Sequence, residues 1–169
     1  MCFYWKVGSP RLLLSLTILA SAAIVLSCTQ PTTESTSTSA SVLKDTLWYA
    51  PDTAAIPHDE QGQLIRYGRD LIARTSYYLG PEGKVAAMSN GMNCQNCHLD
   101  AGTRPFGNNY SAVLATYPKF RARSGTKENI YKRINDCIQR SLNGLPLDST
   151  SREMQAIKAW IHWIGQGVP

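Results

Sequence analysis

The sequence predicts an all-α domain, and three observations predict it. Apolar residues recur at helical spacing in three separate stretches. The long segment between the first two stretches has no periodicity of its own, and a C-x-x-C-H pentapeptide stands in its middle. With 169 residues, 43% hydrophobic and 17% charged, the chain is ordinary for a folded protein, which excludes wholesale disorder. A single long apolar run excludes a polytopic membrane protein. A net charge of +5 is too small to argue by itself for nucleic acid as a partner. No internal repeat is present.

The elements follow in order. Residues 1–27 read as a lipoprotein-type signal peptide: Lys6 and Arg11 give a positive start, and Leu12 to Leu26 is almost unbroken apolar sequence. That run is about 15 residues, short of the roughly 20 that span a bilayer. It ends Val25-Leu26-Ser27-Cys28, so cleavage before Cys28 would leave that cysteine to carry lipid. The alternative is an uncleaved N-terminal anchor. Either way the remainder is expected outside the cytoplasm, where nucleic acid is not a partner; the cleaved form is expected on the periplasmic side of a bacterial membrane, tethered by lipid at Cys28. Acyl chains contribute about 0.8 kcal/mol per buried methylene, so two or three hold durably. Residues 28–46 are rich in Ser and Thr and lack the apolar surface that would offset ordering, so they form a flexible linker. The globular domain is expected over 47–169.

In that domain, Leu64, Tyr67, Leu71, Ile72 and Leu79 predict a helix over 59–79, stopped by Gly80-Pro81-Glu82-Gly83. Ile130, Ile134, Cys137, Ile138 and Leu142 predict a second over 127–142, closed by Asn143-Gly144. Thr150-Ser151-Arg152-Glu153 is a capping-box pattern that opens a third, with Met154, Ile157, Trp160, Ile161 and Ile164 on its buried face. The stretch from Gly80 to Gly125 is too long to stay structureless in a compact domain.

Cys94-Gln95-Asn96-Cys97-His98 explains that stretch. The spacing is the attachment signature of a c-type haem: two thiols add across the vinyl groups, and the next residue offers an imidazole to the iron. A zinc site would need a second cysteine pair, and a redox dithiol a strand-helix context; neither is present. The expected fold is therefore a cytochrome c-like all-α domain wrapped around one covalently attached haem, held by Cys94, Cys97 and His98.

The sixth iron ligand is open among several residues. Met154 lies downstream but shares the buried stripe of its helix. Met88 and Met92 precede the motif, and His58 and His162 are lone histidines. Cys137 is the stronger candidate, because it is the one mature cysteine without another role and an idle thiol in an oxidising compartment is a liability. Arg133 and Arg140, one turn before and after it, would favour its thiolate. The competing reading is a small core cysteine, with the two arginines serving haem propionates.

Asn93-Cys94-Gln95-Asn96-Cys97-His98-Leu99-Asp100-Ala101-Gly102, then Tyr117-Pro118, Arg121, Arg123 and Gly125, then Arg133 to Gly144 with Cys137 inside it, and finally Glu153-Met154 and Trp163, resemble the thiosulfate dehydrogenase family of cytochromes c. The family is related to Sox-type cytochromes, and its catalytic haem has His/Cys ligation. The resemblance implies His98 and Cys137 as iron ligands, with Arg133 and Arg140 as basic groups beside the reacting sulfur. Family enzymes carry two haem domains, whereas one C-x-x-C-H occurs here, so a second cytochrome or other electron acceptor is expected as partner. The implied role is a component of thiosulfate/tetrathionate redox chemistry; an electron carrier without its own substrate, with His/Met ligation as one possibility, and a sensor in which a small molecule displaces Cys137 are the alternatives. From Ala101 to Arg140, Arg104, Lys119, Arg121, Arg123, Lys127, Lys132, Arg133 and Arg140 face only Glu128 and Asp136, a net +6 that suits focusing of a small anion such as thiosulfate or docking to an acidic redox partner.

Overall fold

A computed structural model describes residues 47–168. The signal peptide, Cys28 and the linker up to residue 46 lie outside the described residues. Among the described residues, no helix is long and apolar enough to cross a membrane.

Among the described residues, four α-helices, one short helical segment with non-helical φ/ψ inside it, and one hairpin follow in order: α1 (Glu60–Ala73), α2 (Thr75–Leu79), the irregular α3 (Leu99–Gly102), β1 (Lys119–Arg121), β2 (Thr126–Glu128), α4 (Ile130–Ser141) and α5 (Arg152–Ile164). Asp59 caps α1 by accepting from the Gly62 N–H at 2.8 Å. The expected single helix over 59–79 is broken at Arg74, whose φ of −130° and ψ of 47° are not helical. The break turns α2 so that Thr75, buried, donates its hydroxyl to the Leu71 oxygen and accepts from the Cys94 N–H at 2.9 Å. The expectation of one helix fails because a tertiary contact to the C-x-x-C-H motif outweighs continuing the local pattern.

α1 and α5 cross at close range. A Cβ on Gly68 would fall 1.9 Å from the Ala156 carbonyl oxygen, so glycine is what lets the two backbones meet. Leu71, Ile72, Met154, Ala156, Trp160 and Ile164 are buried in the resulting core. Ser151 caps α5 through the Met154 N–H. The expected capping box does not form. Glu153 sits one position too early to reach back and instead accepts from the Tyr67 hydroxyl at 2.9 Å, joining α5 to α1.

The second predicted helix starts later than expected, at Ile130, because Lys127 and Glu128 belong to β2. Lys119 pairs with Glu128, Phe120 with Lys127 and Arg121 with Thr126 in an antiparallel ladder. Gly125, at φ +66°, closes the turn with its N–H on the Arg121 oxygen. The Tyr117–Pro118 peptide before β1 is cis. Asn129 then caps α4 by accepting from the Lys132 N–H.

Candidate haem site

Cys94, Cys97, His98 and Cys137 line one cavity together with Ile72, Leu79, Val113, Ile134, Ile157 and Ile161. Two thiols, an imidazole and a third thiol thus share a space walled by aliphatic side chains. No disulfide joins Cys94, Cys97 or Cys137. Among the described residues, no group of three or more His, Cys, Asp or Glu is placed to hold a metal ion unaided. This donor set fits a porphyrin, which brings four nitrogens of its own, takes the two paired thiols at its edge and leaves only axial positions to the protein. The residues that would hold it are Cys94, Cys97 and His98.

The motif is fixed from three sides. Asn93 accepts from both the N–H and the hydroxyl of Ser76 on α2, at 2.8 and 2.9 Å, while its own N–H donates to the Asn96 side chain. After His98 the chain turns left-handed for three residues, Asp100, Ala101 and Gly102, with φ of 55°, 56° and 83°. Trp160 on α5 donates to the Ala101 oxygen within this turn. A Cβ on Gly102 would lie 2.1 Å from the Tyr110 ring, and that ring packs on the His98 imidazole with centroids 4.3 Å apart.

His98 Nδ1 donates to the Asn108 oxygen at 2.7 Å, which leaves Nε2 with the lone pair; the Asn108 side-chain amide stands 3.5 Å from it. Such an outer hydrogen bond fixes the ring and its tautomer, as in most metal-bound histidines. Burial, aided by the charge of Arg133, holds the imidazole below the usual histidine range, so the neutral ring needed for ligation is the favoured form. Burial pushes the Cys94 thiol up.

The remaining candidates separate. Arg133 is half-buried, lines the cavity, and has no ion-pair partner among the described residues. Arg140 is exposed near the C-terminal end of α4 and is not on the cavity wall, so the two arginines expected beside Cys137 do not share its surroundings. Met154 is fully buried in the core and off the cavity wall, as its helical stripe implied; His58 and His162 are exposed, and neither they nor Met88 line the cavity. Met92 does line it.

The hairpin wall was not legible in the sequence. Tyr117, Lys119 and Arg121 line the cavity, with the Lys119 ammonium 5.1 Å from the Tyr117 ring centroid. Not all of the +6 segment is available to an anion. Glu128, 1% exposed, sits 3.0 Å from Lys132 Nζ and 3.5 Å from Arg121 Nε, and Asp136 also engages Lys132 at 3.2 Å. A lone glutamate among eight basic residues was the available signal.

A family model described as SoxA/TsdA, cytochrome c domain, matches residues 84–169. A protein named thiosulfate dehydrogenase from Psychrobacter arcticus is 34% identical over 119 residues, 70% of this chain and 35% of that protein. Another of that name from Allochromatium vinosum is 31% identical over 123 residues, 70% of this chain and 44% of that protein. The chain thus spans less than half the length of these curated relatives. A solved structure titled thiosulfate dehydrogenase (TsdBA) from Marichromatium purpuratum superimposes with a TM-score of 0.67 at 23% identity, covering 73% of this chain and 27% of that one. That likeness shows the fold.

Proposed function

Because the chain belongs to the SoxA/TsdA cytochrome c domain family, we propose that it is a mono-haem c-type cytochrome acting in thiosulfate/tetrathionate redox chemistry, in which His98 and Cys137 would hold the iron. The observation that carries this reading is the convergence of the Cys94–Cys97 pair, His98, Cys137 and Arg133 on one apolar cavity. Several relatives are named thiosulfate dehydrogenase, which supports the substrate class. Haem, when bound, supplies a metal centre that accepts single electrons.

The side chains divide the remaining work. Cys94 and Cys97 anchor the group covalently. His98, oriented by Asn108 and Tyr110, presents a neutral nitrogen. Cys137 offers a soft sulfur, and Arg133 adds positive charge that favours both a thiolate and an approaching dianion. The aliphatic part of the wall lowers the local polarity, which strengthens those charge interactions. In the overall reaction two thiosulfate dianions join through a new S–S bond to give tetrathionate. Two electrons leave and no proton moves. The electrons must depart singly to a partner acceptor, a second cytochrome in this proposal. Export and a lipid tether at Cys28 complete the reading.

The test is tetrathionate formation by the haem-loaded chain with an artificial one-electron acceptor, comparing wild type with Cys137→Ala. Activity in the wild type and its loss in the variant are expected; full activity in the variant overturns the role of Cys137. One observation favours a second reading, a carrier without its own substrate: Met92 lines the same cavity, so a thioether is placed to compete for the iron. Loss of the low-spin spectrum in Met92→Leu rather than in Cys137→Ser would select it.

A further inference from the structure

The hairpin, whose β1 residues Lys119 and Arg121 line the cavity, carries a charge arrangement that haem attachment does not use. Arg121 lines the cavity, and its guanidinium has a neighbour on two sides: Nη1 donates to the Tyr117 hydroxyl at 3.1 Å, and Nε forms an ion pair, without a hydrogen bond, 3.5 Å from a Glu128 oxygen. Glu128 in turn is clamped by Lys132. Nη2 makes no hydrogen bond to protein among the described residues. Taking a carboxylate out of water is expensive, and a buried ion pair at best breaks even against apolar packing. Net stability therefore does not account for Glu128. Orientation does: a guanidinium hydrogen-bonded at one nitrogen and ion-paired at another points its remaining N–H groups one way, and a planar fork suits tetrahedral oxyanions better than an ammonium does.

We propose that Arg121, positioned by Tyr117 and Glu128, is an oxyanion-binding group of the cavity, and that Glu128 is a positioning residue acting through it. This deepens the thiosulfate reading and rests on it for the identity of the physiological anion. The same chemistry has two sources, a free sulfur oxyanion or the carboxylates of the cofactor, and the experiment separates them.

The sign of one substitution distinguishes orientation from bulk charge. Glu128→Gln removes a negative charge beside the site. If Arg121 acted only through the local field, an anion would bind more tightly to this variant; if Glu128 aims the guanidinium, binding weakens.

The test is calorimetric titration of the full haem-loaded chain with sulfate and with thiosulfate, alongside the midpoint potential against pH. For a free anion, Arg121→Gln weakens sulfate binding about tenfold or more, the scale of one lost charge-assisted hydrogen bond. Arg121→Lys restores part of it, and Glu128→Gln and Tyr117→Phe each weaken it several-fold. Tyr117→Phe removes a single hydroxyl and reads the positioning even if Glu128→Gln fails to fold. For a cofactor carboxylate, sulfate binding is unchanged and the pH dependence of the potential shifts in Arg121→Gln and, in the same direction, in Tyr117→Phe. Tighter sulfate binding in Glu128→Gln, or no response of either readout to Arg121→Gln, overturns the proposal. Sulfate has no sulfane sulfur, so its binding is independent of Cys137. Loss of turnover in Cys137→Ala with both sulfate binding and the potential indifferent to Arg121→Gln would sink this inference alone. Undiminished turnover in Cys137→Ala would sink the role of Cys137 and leave the sulfate result standing.

Discussion

The indole Nε1 of Trp160 donates to the backbone oxygen of Ala101 at 2.8 Å, joining two buried groups 59 positions apart. Ala101 is the middle of the left-handed turn that begins two residues after His98. A non-glycine residue in that conformation is strained by roughly 1–3 kcal/mol and persists where its surroundings over-determine it. The last helix therefore supports the loop that follows the C-x-x-C-H motif and its His98.

Trp160→Phe leaves the Ala101 carbonyl buried and unpaired. The expected loss is about 1–3 kcal/mol for that group, with a further contribution from the smaller ring. Denaturant unfolding of the haem-loaded chain checks it, and an unchanged midpoint would show that the turn needs no support from α5.

Gly68→Ala places a methyl group where Ala156 already has its carbonyl oxygen. Overpacking of this kind costs about 1–3 kcal/mol and sometimes more, because the contact is with backbone and no side chain can rotate away. The same substitution at Gly91, whose Cβ position meets nothing within 4 Å, is expected to leave the unfolding midpoint nearly unchanged. Equal effects at the two positions would contradict the crossing geometry.

Cys137→Ser is expected to abolish the low-spin thiolate signature of the oxidised protein, read by electron paramagnetic resonance. Met154→Leu is expected to preserve it while costing less than about 1.5 kcal/mol in stability, since it is a volume-conserving change in a fully buried site. A reversed pattern would return the sixth position to Met154.

The hairpin carboxylate makes stability depend on acid. Glu128 is held below the usual glutamate range, first by the Ser124 hydroxyl and then by Lys132 and Arg121. A carboxylate lowered in the folded state binds fewer protons there than in the unfolded chain. Its stabilisation is complete above the ordinary glutamate value of about 4.3 and is lost as pH falls below that value through the folded one. Melting temperatures from pH 7 down to 3 should fall more steeply for wild type than for Glu128→Gln. Parallel curves would show that the ion-pair cluster carries no proton linkage.

Much of the site could be read along the chain because its chemistry is local. Covalent attachment depends on two thiols and an imidazole at fixed spacing, so Cys94, Cys97 and His98 announce a haem before any fold is known. Helical spacing likewise reported α4 and α5, because a buried stripe requires apolar residues every three or four positions. Spacing alone put Arg133 and Arg140 on nearly one face, yet only Arg133 reaches the cavity.

What tertiary structure alone decided is which distant groups meet. The break at Arg74, the diversion of Glu153 to Tyr67, and the seating of the locally paired hairpin, with Tyr117 and Arg121, on the cavity wall all depend on contacts between segments far apart in sequence. No local propensity encodes them, since each is settled by which partner satisfies a buried polar group once the chain has closed on itself. The sequence determined what kind of cofactor the chain can hold. Its folding determined which charges stand around that cofactor and which way they point.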